Sequence, residues 1–339
     1  MTDRALKTAV VGVGHLGRIH AQIYADNPGA ELAYVVDTNR SQASELAEKL
    51  GCTAIPDSRE LPDDIEAVSI AVPTIHHAAV AVPLLERGIA CLVEKPLAPN
   101  LEQADEILAA AERGGAALAV GHVERFQPGL RQIRERGIRP RFIECHRLAP
   151  FSFRSMDVGV VHDLMIHDLD LVLDMIDSEV ESVDAVGGAM LTENEDVASV
   201  RIVFKNGARA NLTASRASMK PMRRFRLFTS NGYCSLDFTQ NYGLLVRKGP
   251  RWAEGRDELK RLDPETLAKL SKKPDFVESG MLEIEELQLE GEERPLQAEL
   301  DSFLSSVRDG REPEVTGADG RRALELAGRI SDAIAEQGW

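Results

Sequence analysis

Apolar runs alternate with helical patterns through the first 120 residues, and this alternation constrains the fold more than any other feature of the chain. Gly51, Gly88 and Gly114 follow the helical patterns, as C-terminal caps often do. Fully apolar strands separated by helices indicate a parallel sheet that is covered by helices on both faces. The apolar runs are "TAVVGV", "ELAYVV", "AVSIAV", "ACLVE" and "AALAVG".

The pattern changes after about residue 122. A strongly helical segment covers roughly 159–177, six strand-like runs follow it, and a further possible strand lies at "LEIEELQLEG" in an otherwise polar segment, about 250–295. Turns such as Asn206-Gly207 and Asn231-Gly232 between these runs favour antiparallel hairpins. Two more helical patterns end the chain. We therefore predict two domains, residues 1–122 and 123–339, and expect the last helix, about 318–336, to pack back on the first domain.

Composition and charge exclude several classes of protein. The 339 residues carry a net charge of −15, which argues against nucleic acid or an anionic membrane as a general partner. There is no apolar run long enough to span a membrane, and a strand pattern begins within ten residues of Met1, where a signal peptide would need its apolar segment. We therefore expect a cytoplasmic protein. The four cysteines are widely spaced, which favours buried thiols over disulfides or a zinc site.

The stretch "VVGVGHLGRIH" contains the spacing Gly12-x-Gly14-x-x-Gly17, directly after a strand and at the start of a helix. In this context Gly12 permits the tight turn, Gly14 lets the backbone approach a pyrophosphate, and Gly17 lets helix and strand pack closely. His15 and Leu16 complete the loop. The free N–H groups of the helix N-terminus then face the phosphates, so we predict a dinucleotide site here.

Asp37 ends the second strand, twenty residues after Gly17. A carboxylate at this position accepts hydrogen bonds from the ribose hydroxyls and repels a 2′-phosphate, which favours NAD over NADP. Arg40 lies close enough to contact the same part of the cofactor, so NADP stays open as a second possibility.

A polar stripe runs along the helical segment "VVHDLMIHDLDLVLDMI", which is otherwise apolar nearly all round. Asp163, His167, Asp170 and Asp174 are spaced by four, three and four residues, so they share one helix face. Three interpretations compete. Asp163 and His167 could form a catalytic pair beside a substrate, two ligands could belong to a metal site, or the stripe could be a solvated helix edge. No third metal ligand is evident, and we predict no metal.

The stretch "CLVEKPLAPN" places a charged pair at the end of a core strand. Ligands of parallel α/β sheets bind beyond the carboxyl ends of the strands, and Lys95 is the first residue to reach that edge. Pro96 fixes its own φ and biases Lys95 away from helical geometry, so the lysine is held in place. A cis Lys95–Pro96 peptide bond is one prediction of this pattern.

Together these segments resemble the glucose–fructose oxidoreductase/inositol dehydrogenase/MocA (Gfo/Idh/MocA) family over nearly the whole chain. The resemblance also includes "GHVERFQP", "DLMIHDLDL" and "RRFRLFTSNGYCSLDF". It implies an α/β N-terminal Rossmann domain with a parallel doubly wound sheet, followed by an α+β domain with an open, mostly antiparallel sheet. It also implies hydride transfer between NAD(P) and a sugar or cyclitol hydroxyl carbon. Lys95 would contact the reacting hydroxyl, and Asp163 and His167 would complete the proton-transfer group.

The family pattern also implies roles around the cofactor and a mode of assembly. Glu94, Lys95 and Pro96 would shape the strand end beside the nicotinamide, while Pro73 and His77 would belong to a cofactor loop after the third predicted strand. Family members often pack their open sheets face to face, so we expect a homodimer or homotetramer.

A narrower resemblance is to the subgroup associated with lipid A biosynthesis, which oxidises UDP-N-acetylglucosamine at the sugar C3. A partner aminotransferase then acts on the 3-keto product. The residues that carry this resemblance lie in "GHVERFQP", "RFIECHRLAPFSFRS", "VVHDLMIHDLDLVL" and "ANLTASR". Arginines in or near these segments are candidate diphosphate ligands, because guanidinium groups bind phosphate oxygens in pairs, and surface solvation is the alternative for each: Arg125, Arg147, Arg154 and Arg216.

Other functions remain open from the sequence. The chain could instead be a dehydrogenase of a free sugar or an inositol-like cyclitol. It could be a dinucleotide-binding regulator without catalysis, although the intact Lys95, Asp163 and His167 argue against this. A hydrolase or epimerase that oxidises its substrate transiently and then returns the hydride is a further possibility.

Overall fold

A computed structural model of the chain describes residues 4–152, 158–266, 280–290 and 294–338. The chain divides into two compact units: residues 1–126, 166–174 and 292–331 form the first, and residues 127–165, 175–291 and 332–339 form the second. Each unit is therefore discontinuous, whereas the sequence-based division at 122/123 is into two continuous segments. Within the described ranges, no helix is long and apolar enough to cross a membrane.

The first unit contains a six-stranded sheet made of β1 (Leu6–Val11), β2 (Ala30–Val36), β3 (Thr53–Ile55), β4 (Ala67–Ile70), β5 (Ala90–Glu94) and β6 (Leu118–Gly121). All neighbours are parallel, in the order β3-β2-β1-β4-β5-β6. This is the Rossmann order, and it confirms the predicted doubly wound parallel sheet. β4 and β5 are buried at every position, which explains their unbroken apolar sequences.

Four helices connect these strands: α1 (His15–Asp26), α2 (Arg40–Leu50), α3 (His77–Glu86) and α4 (Leu101–Gly114). The side chains of Asn39 and Asn100 cap α2 and α4 by accepting backbone N–H groups. Gly115, in the left-handed conformation, ends α4 one residue later than the predicted Gly114. A Cβ at Gly114 would overlap the carbonyl oxygen of Leu85, so this glycine serves the close packing of α3 and α4.

The second unit contains an eight-stranded sheet made of β7 (Phe142–Leu148), β8 (Val180–Gly188), β9 (Val197–Phe204), β10 (Arg209–Ser215), β11 (Met222–Phe228), β12 (Gly232–Asp237), β13 (Tyr242–Lys248) and β14 (Leu282–Gln288). The order is β14-β13-β12-β11-β7-β10-β9-β8, and every pair is antiparallel except β7 with β10. The mostly antiparallel sheet is confirmed, and Asn206 and Asn231 lie in its hairpin turns as predicted.

One strand of this sheet was missed by the sequence reading. β7 lies in the centre of the sheet, and its buried and half-buried residues alternate along the sequence "FIECHRL". Charged residues at the half-buried positions, such as Glu144, break up the apolar signal. The parallel pairing with β10 also cannot be inferred from a turn, because a long intervening segment separates the two strands.

Five further helices complete the described structure: α5 (Pro128–Glu135), α6 (Ile166–Met175), α7 (Trp252–Leu259), α8 (Pro295–Asp309) and α9 (Gly317–Gln337). Three short 3-10 turns cover Ser58–Glu60, Thr74–His76 and Val123–Phe126. A turn of π-helix, Val161–Met165, precedes α6 directly. The predicted helix over roughly 159–177 thus exists, but it does not have α-helical spacing throughout.

Candidate active site

The glycine loop after β1 has the geometry that a pyrophosphate needs. Gly12 has a φ of +87°, which L side chains rarely adopt. A Cβ at Gly17 would overlap the carbonyl oxygen of Gly12, whereas a Cβ at Gly14 would meet nothing within 4 Å. The first turn of α1 has no side-chain cap, and Gly14, His15 and Leu16 are exposed. The open loop and the uncapped N–H groups therefore fit an anionic dinucleotide.

The carboxylate of Asp37 is anchored beside this loop. The backbone N–H of Val13 donates to its Oδ2 at 2.8 Å, and that of Asn39 donates to its Oδ1 at 2.8 Å. These bonds hold a negative charge at the end of β2, where the ribose of a dinucleotide lies in this fold. Arg40 is exposed at the start of α2.

A cis peptide bond and a buried histidine fix the backbone next to Lys95. The Lys95–Pro96 peptide bond is cis, which confirms the prediction. His77, at the start of α3, is buried; its Nδ1 lies 3.1 Å from the carbonyl oxygen of Pro96, and its Nε2 lies 3.0 Å from that of Val72. Burial lowers the pKa of His77, although these carbonyl contacts act in the opposite direction. His77 thus ties the loop after β4 to the loop after β5 and does not face solvent.

The other residues predicted at the cofactor loop and at the strand end are placed differently from His77. Pro73 is exposed and precedes the short helical turn Thr74–His76. Glu94 is 8% exposed, and its carboxyl contacts the chain's own groups. Lys95 itself is half-buried at the carboxyl edge of the sheet.

The predicted base His167 lies in α6, within the first unit. Its ring stands edge-on to that of His122, with 6.4 Å between the ring centroids. His122 follows β6 and is fully buried, and neither of its ring nitrogens has a hydrogen-bond partner among the residues that the structure describes. Burial and the nearby charges of Arg125 and Lys95 lower the pKa of His122, against the charge of Asp170, so this imidazole is neutral.

Arg125 is bound to carboxylates of the chain. Its Nε and Nη2 donate to the two carboxylate oxygens of Asp170 at 2.7 and 2.6 Å, and its Nη1 donates to Asp174 at 2.9 Å. The Arg125 and Asp170 side chains are 3% and 1% exposed. Asp319, in α9, adds a third carboxylate at 3.7 Å. The polar stripe of α6 is therefore not a solvated edge at Asp170, because this residue is the buried partner of Arg125.

Three of the predicted site residues belong to the second unit. Asp163 lies in the π-helical turn. Arg147 is buried in β7. Arg216 is buried after β10, where its guanidinium lies 3.6 Å from Asp196 and donates to the carbonyl oxygen of Val158. Arg154 lies outside the described residues.

Sequence reasoning missed three buried ionisable residues of the first unit. His20, His122 and Glu299 are buried ionisable groups of the first unit, and no motif marks them. Their only sequence signal is a polar residue inside an otherwise apolar pattern, which does not identify a partner. Among the described residues, no group of three or more His, Cys, Asp or Glu side chains converges as a metal site would.

Comparison with known families identifies the class of protein. Residues 6–122 match the family described as "Oxidoreductase family, NAD-binding Rossmann fold", and residues 138–235 match the GFO/IDH/MocA C-terminal domain. The chain belongs to the GFO/IDH/MocA family of oxidoreductases, and its residues 6–122 belong to the family of NAD-binding Rossmann domains. This confirms the resemblance inferred from the sequence motifs.

Individual relatives cover almost the whole chain. It is 37% identical, over 334 residues and 97% of each chain, to the UDP-N-acetylglucosamine 3-dehydrogenase of Acidithiobacillus ferrooxidans. The solved structure of that enzyme matches with a TM-score of 0.85 over 98% of each chain. The myo-inositol 2-dehydrogenase of Thermotoga maritima is 25% identical over 353 residues, which is 98% of this chain and 97% of that enzyme. Levoglucosan dehydrogenase, solved with NADH and L-sorbose, shares the fold with a TM-score of 0.80 at 18% identity over 98% of each chain.

Proposed function

We propose that this chain oxidises UDP-N-acetylglucosamine at the sugar C3 and transfers the hydride to NAD. The observation that carries the proposal is the 37% identity to a UDP-N-acetylglucosamine 3-dehydrogenase over 97% of the chain. The geometry of the first unit supports it, because an open glycine loop and a braced lysine occupy the carboxyl edge of one parallel sheet.

NAD is the proposed cofactor in preference to NADP. The Asp37 carboxylate is held by two backbone N–H groups, so its charge cannot turn away from the ribose position. A fixed carboxylate there favours two free ribose hydroxyls and repels a 2′-phosphate. Titration of the purified protein with NAD and with NADP tests this, and equal affinity for the two would contradict it.

The proposed chemistry uses three side chains. When bound, NAD supplies the acceptor for the hydride that leaves the sugar carbon. His167 takes the hydroxyl proton as the hydride leaves, and Asp163 orients His167 for this step. Lys95 donates a hydrogen bond to the same oxygen and stabilises the negative charge that develops on it. Arg147 and Arg154 are proposed to contribute to diphosphate binding. We assign Arg216 a structural contact instead, because its buried guanidinium lies beside Asp196 and donates to the carbonyl oxygen of Val158. We assign Arg125 the structural contact with Asp170, because its guanidinium already donates to carboxylates.

A homodimer or homotetramer is proposed on the basis of the eight-stranded sheet. On this sheet Phe142 stacks on Phe228 with 5.4 Å between centroids, and Phe228 contacts Tyr233 at 5.2 Å. Ile284 on β14 is 47% exposed. Partly exposed aromatic and aliphatic side chains in one row across a sheet face favour packing against a second copy. Light scattering after gel filtration measures the oligomer size.

We also propose that the enzyme acts in the cytoplasm and that an aminotransferase uses its product in the next reaction. The product is a 3-keto nucleotide sugar, and a ketone is the group that an aminotransferase converts to an amine. Turnover in a coupled assay with an aminotransferase and an amino donor tests this order of reactions.

The decisive experiment replaces the proposed catalytic lysine. We expect Lys95→Met to lower turnover of UDP-N-acetylglucosamine, followed by NADH absorbance, by at least about a hundredfold, because the hydrogen bond to the reacting oxygen is lost. NAD binding should stay near that of the wild type. Lys49→Met, at an exposed position of α2, is the matched control and should keep full turnover.

The outcomes separate the proposed function from its alternatives. Near-normal turnover of Lys95→Met would refute the assigned role. A wild-type protein that binds NAD but oxidises no sugar would favour a regulator. Tightly retained cofactor with sugar conversion but no net NADH would favour a hydrolase or epimerase. Turnover of inositol in place of the nucleotide sugar would favour a cyclitol dehydrogenase, which the 25% identity to a myo-inositol 2-dehydrogenase keeps as the second candidate.

A further inference from the structure

A buried histidine of the nucleotide-binding helix contacts the glutamate that precedes Lys95. His20 lies in α1, and its side chain is fully buried; its Nε2 lies 3.1 Å from Oε1 of Glu94, a close polar contact without hydrogen-bond geometry among the described residues. Glu94 is the last residue of β5. The contact therefore joins the helix that follows the glycine loop to the strand that carries Lys95, across 74 positions of the sequence.

The Glu94 carboxyl lies in a slot that fixes its position. The backbone N–H of Lys95 donates to Oε2 at 3.2 Å, while His20 contacts the other oxygen. Gly121, the residue paired with Glu94 on β6, supplies the space. A Cβ at Gly121 would lie 3.0 Å from Cδ and Oε2 of Glu94, closer than real Cβ atoms normally approach. The carboxyl therefore depends on a glycine on one side and a histidine on the other.

This arrangement keeps Glu94 ionised although it is buried. Burial raises the pKa of a carboxyl, but the contact with His20 and the charge of Lys95 outweigh it and hold the pKa of Glu94 below its ordinary value. The interaction is mutual, so a carboxylate here favours the protonated form of a neighbouring amine. The other titratable groups that interact with Glu94 from the elements around it are His77 on α3, His122 after β6 and Glu299 on α8.

We propose that His20 and Glu94 form a positioning pair that holds Lys95 at the reaction centre and keeps a carboxylate charge near its ammonium group. The proposal rests on the function proposed above, in which Lys95 contacts the reacting oxygen. His20 and Glu94 contact neither substrate nor cofactor in this role; they act on Lys95 through its backbone and through charge. α1 thereby serves two purposes, because its uncapped N-terminus would face the pyrophosphate of a bound dinucleotide and its second turn supports the lysine.

The test compares variants of His20 that differ in whether they keep a polar N–H group beside Glu94. His20→Leu removes the contact with Glu94, whereas His20→Gln retains a side-chain N–H. We expect His20→Leu to lower kcat by roughly tenfold, a part of what a positioned proton-transfer group contributes, and to move the alkaline limb of the kcat–pH profile to lower pH. His20→Gln should recover most of kcat and leave that limb near its wild-type position. The dissociation constant for NAD should stay within about threefold in both variants.

A structural role alone would give a different result, and Tyr24→Phe provides the control. Tyr24 is also fully buried in α1, and its hydroxyl bonds to Ser69 at 2.7 Å, away from Glu94. This variant should lower the melting temperature without moving the pH profile. An unchanged kcat–pH profile in a folded, NAD-binding His20→Leu variant would overturn the proposal. Should that variant not fold, Glu94→Gln, which keeps the shape of the side chain and removes its charge, carries the same test.

A second measurement needs no substrate. Lysines of the folded protein are methylated reductively with ¹³C-formaldehyde, and their methyl resonances are followed by NMR. The resonance that is absent from the spectrum of the Lys95→Arg variant is assigned to Lys95. We expect this resonance to titrate at lower pH in Glu94→Gln and His20→Leu than in the wild type, and an identical titration in all three would overturn the proposal. If these shifts occur but the wild type oxidises no sugar, the proposed function fails while the positioning pair stands.

Discussion

Glu299 carries a buried carboxyl whose protonation should make the stability of the first unit depend on pH. It lies on α8, is 2% exposed, and faces a small cavity lined by Leu92, Phe126 and Phe303. Within the described ranges, neither of its carboxyl oxygens has a hydrogen-bond partner. Burial, together with the negative charges of nearby carboxylates, raises the pKa of Glu299 well above its ordinary value of 4.5. We therefore expect the folded protein to hold this group as a neutral acid.

The magnitude follows from proton linkage. The unfolded chain releases this proton above about pH 4.5, whereas the folded chain retains it, so the folded state binds more protons and loses stability as pH rises. The loss is about 1.4 kcal/mol per pH unit while Glu299 stays protonated. Glu299→Gln has nearly the same shape and no proton to lose. Its free energy of unfolding, relative to that of the wild type, should therefore rise by up to about 2.7 kcal/mol from about pH 5.5 to about pH 7.5.

The assay is urea unfolding followed by far-UV circular dichroism, for both proteins, at pH steps across that range. Only the difference between the two proteins matters, because other groups titrate equally in both. Glu106→Gln, at an exposed position of α4, is the matched control and should give a difference that does not change with pH. A flat difference for Glu299→Gln, or one that falls with pH, would show that the folded protein holds Glu299 ionised and would refute the reasoning.

Two further predictions concern the glycine loop and the buried arginine. Gly14→Ala should fold normally, because a Cβ at this position meets nothing within 4 Å, but titration should show NAD binding weakened by tenfold or more, about 1.4 kcal/mol. Gly17→Ala should instead lower the melting temperature, because its Cβ would overlap the carbonyl oxygen of Gly12. Normal folding of Gly17→Ala together with unfolding of Gly14→Ala would contradict the loop geometry. Arg125→Met should destabilise the first unit by about 3–5 kcal/mol, because it leaves the Asp170 carboxylate buried and unpaired, and Arg125→Met/Asp170→Leu should recover most of this loss in chemical unfolding. A higher KM with an unchanged melting temperature in Arg125→Met would instead support the substrate role that the sequence pattern first indicated.

The sequence determined those features whose parts lie close together along the chain. The glycine spacing, the following helix and Asp37 fall within about 30 residues, so the nucleotide-binding geometry could be inferred from local conformational rules. The end of β5 is similar, since Pro96 directly follows Lys95, fixes its own φ and restricts the backbone of Lys95. Apolar runs that alternate with helical patterns were sufficient to predict the parallel sheet, because a strand that is buried on both faces has an almost continuously apolar sequence.

Only the tertiary structure decided the features that depend on residues far apart or on a local break in regular geometry. The pairing of Arg125 with Asp170 and that of His20 with Glu94 bring together side chains 45 and 74 positions apart. Helical periodicity placed Asp163 and His167 one turn apart, but a π-helical turn precedes α6 and changes the spacing. β7 lacks a strong apolar signal and was found only through its pairing with β10 and β11. Sequence pattern records which face of an element is buried, whereas the partner across that face is chosen by packing and charge in three dimensions.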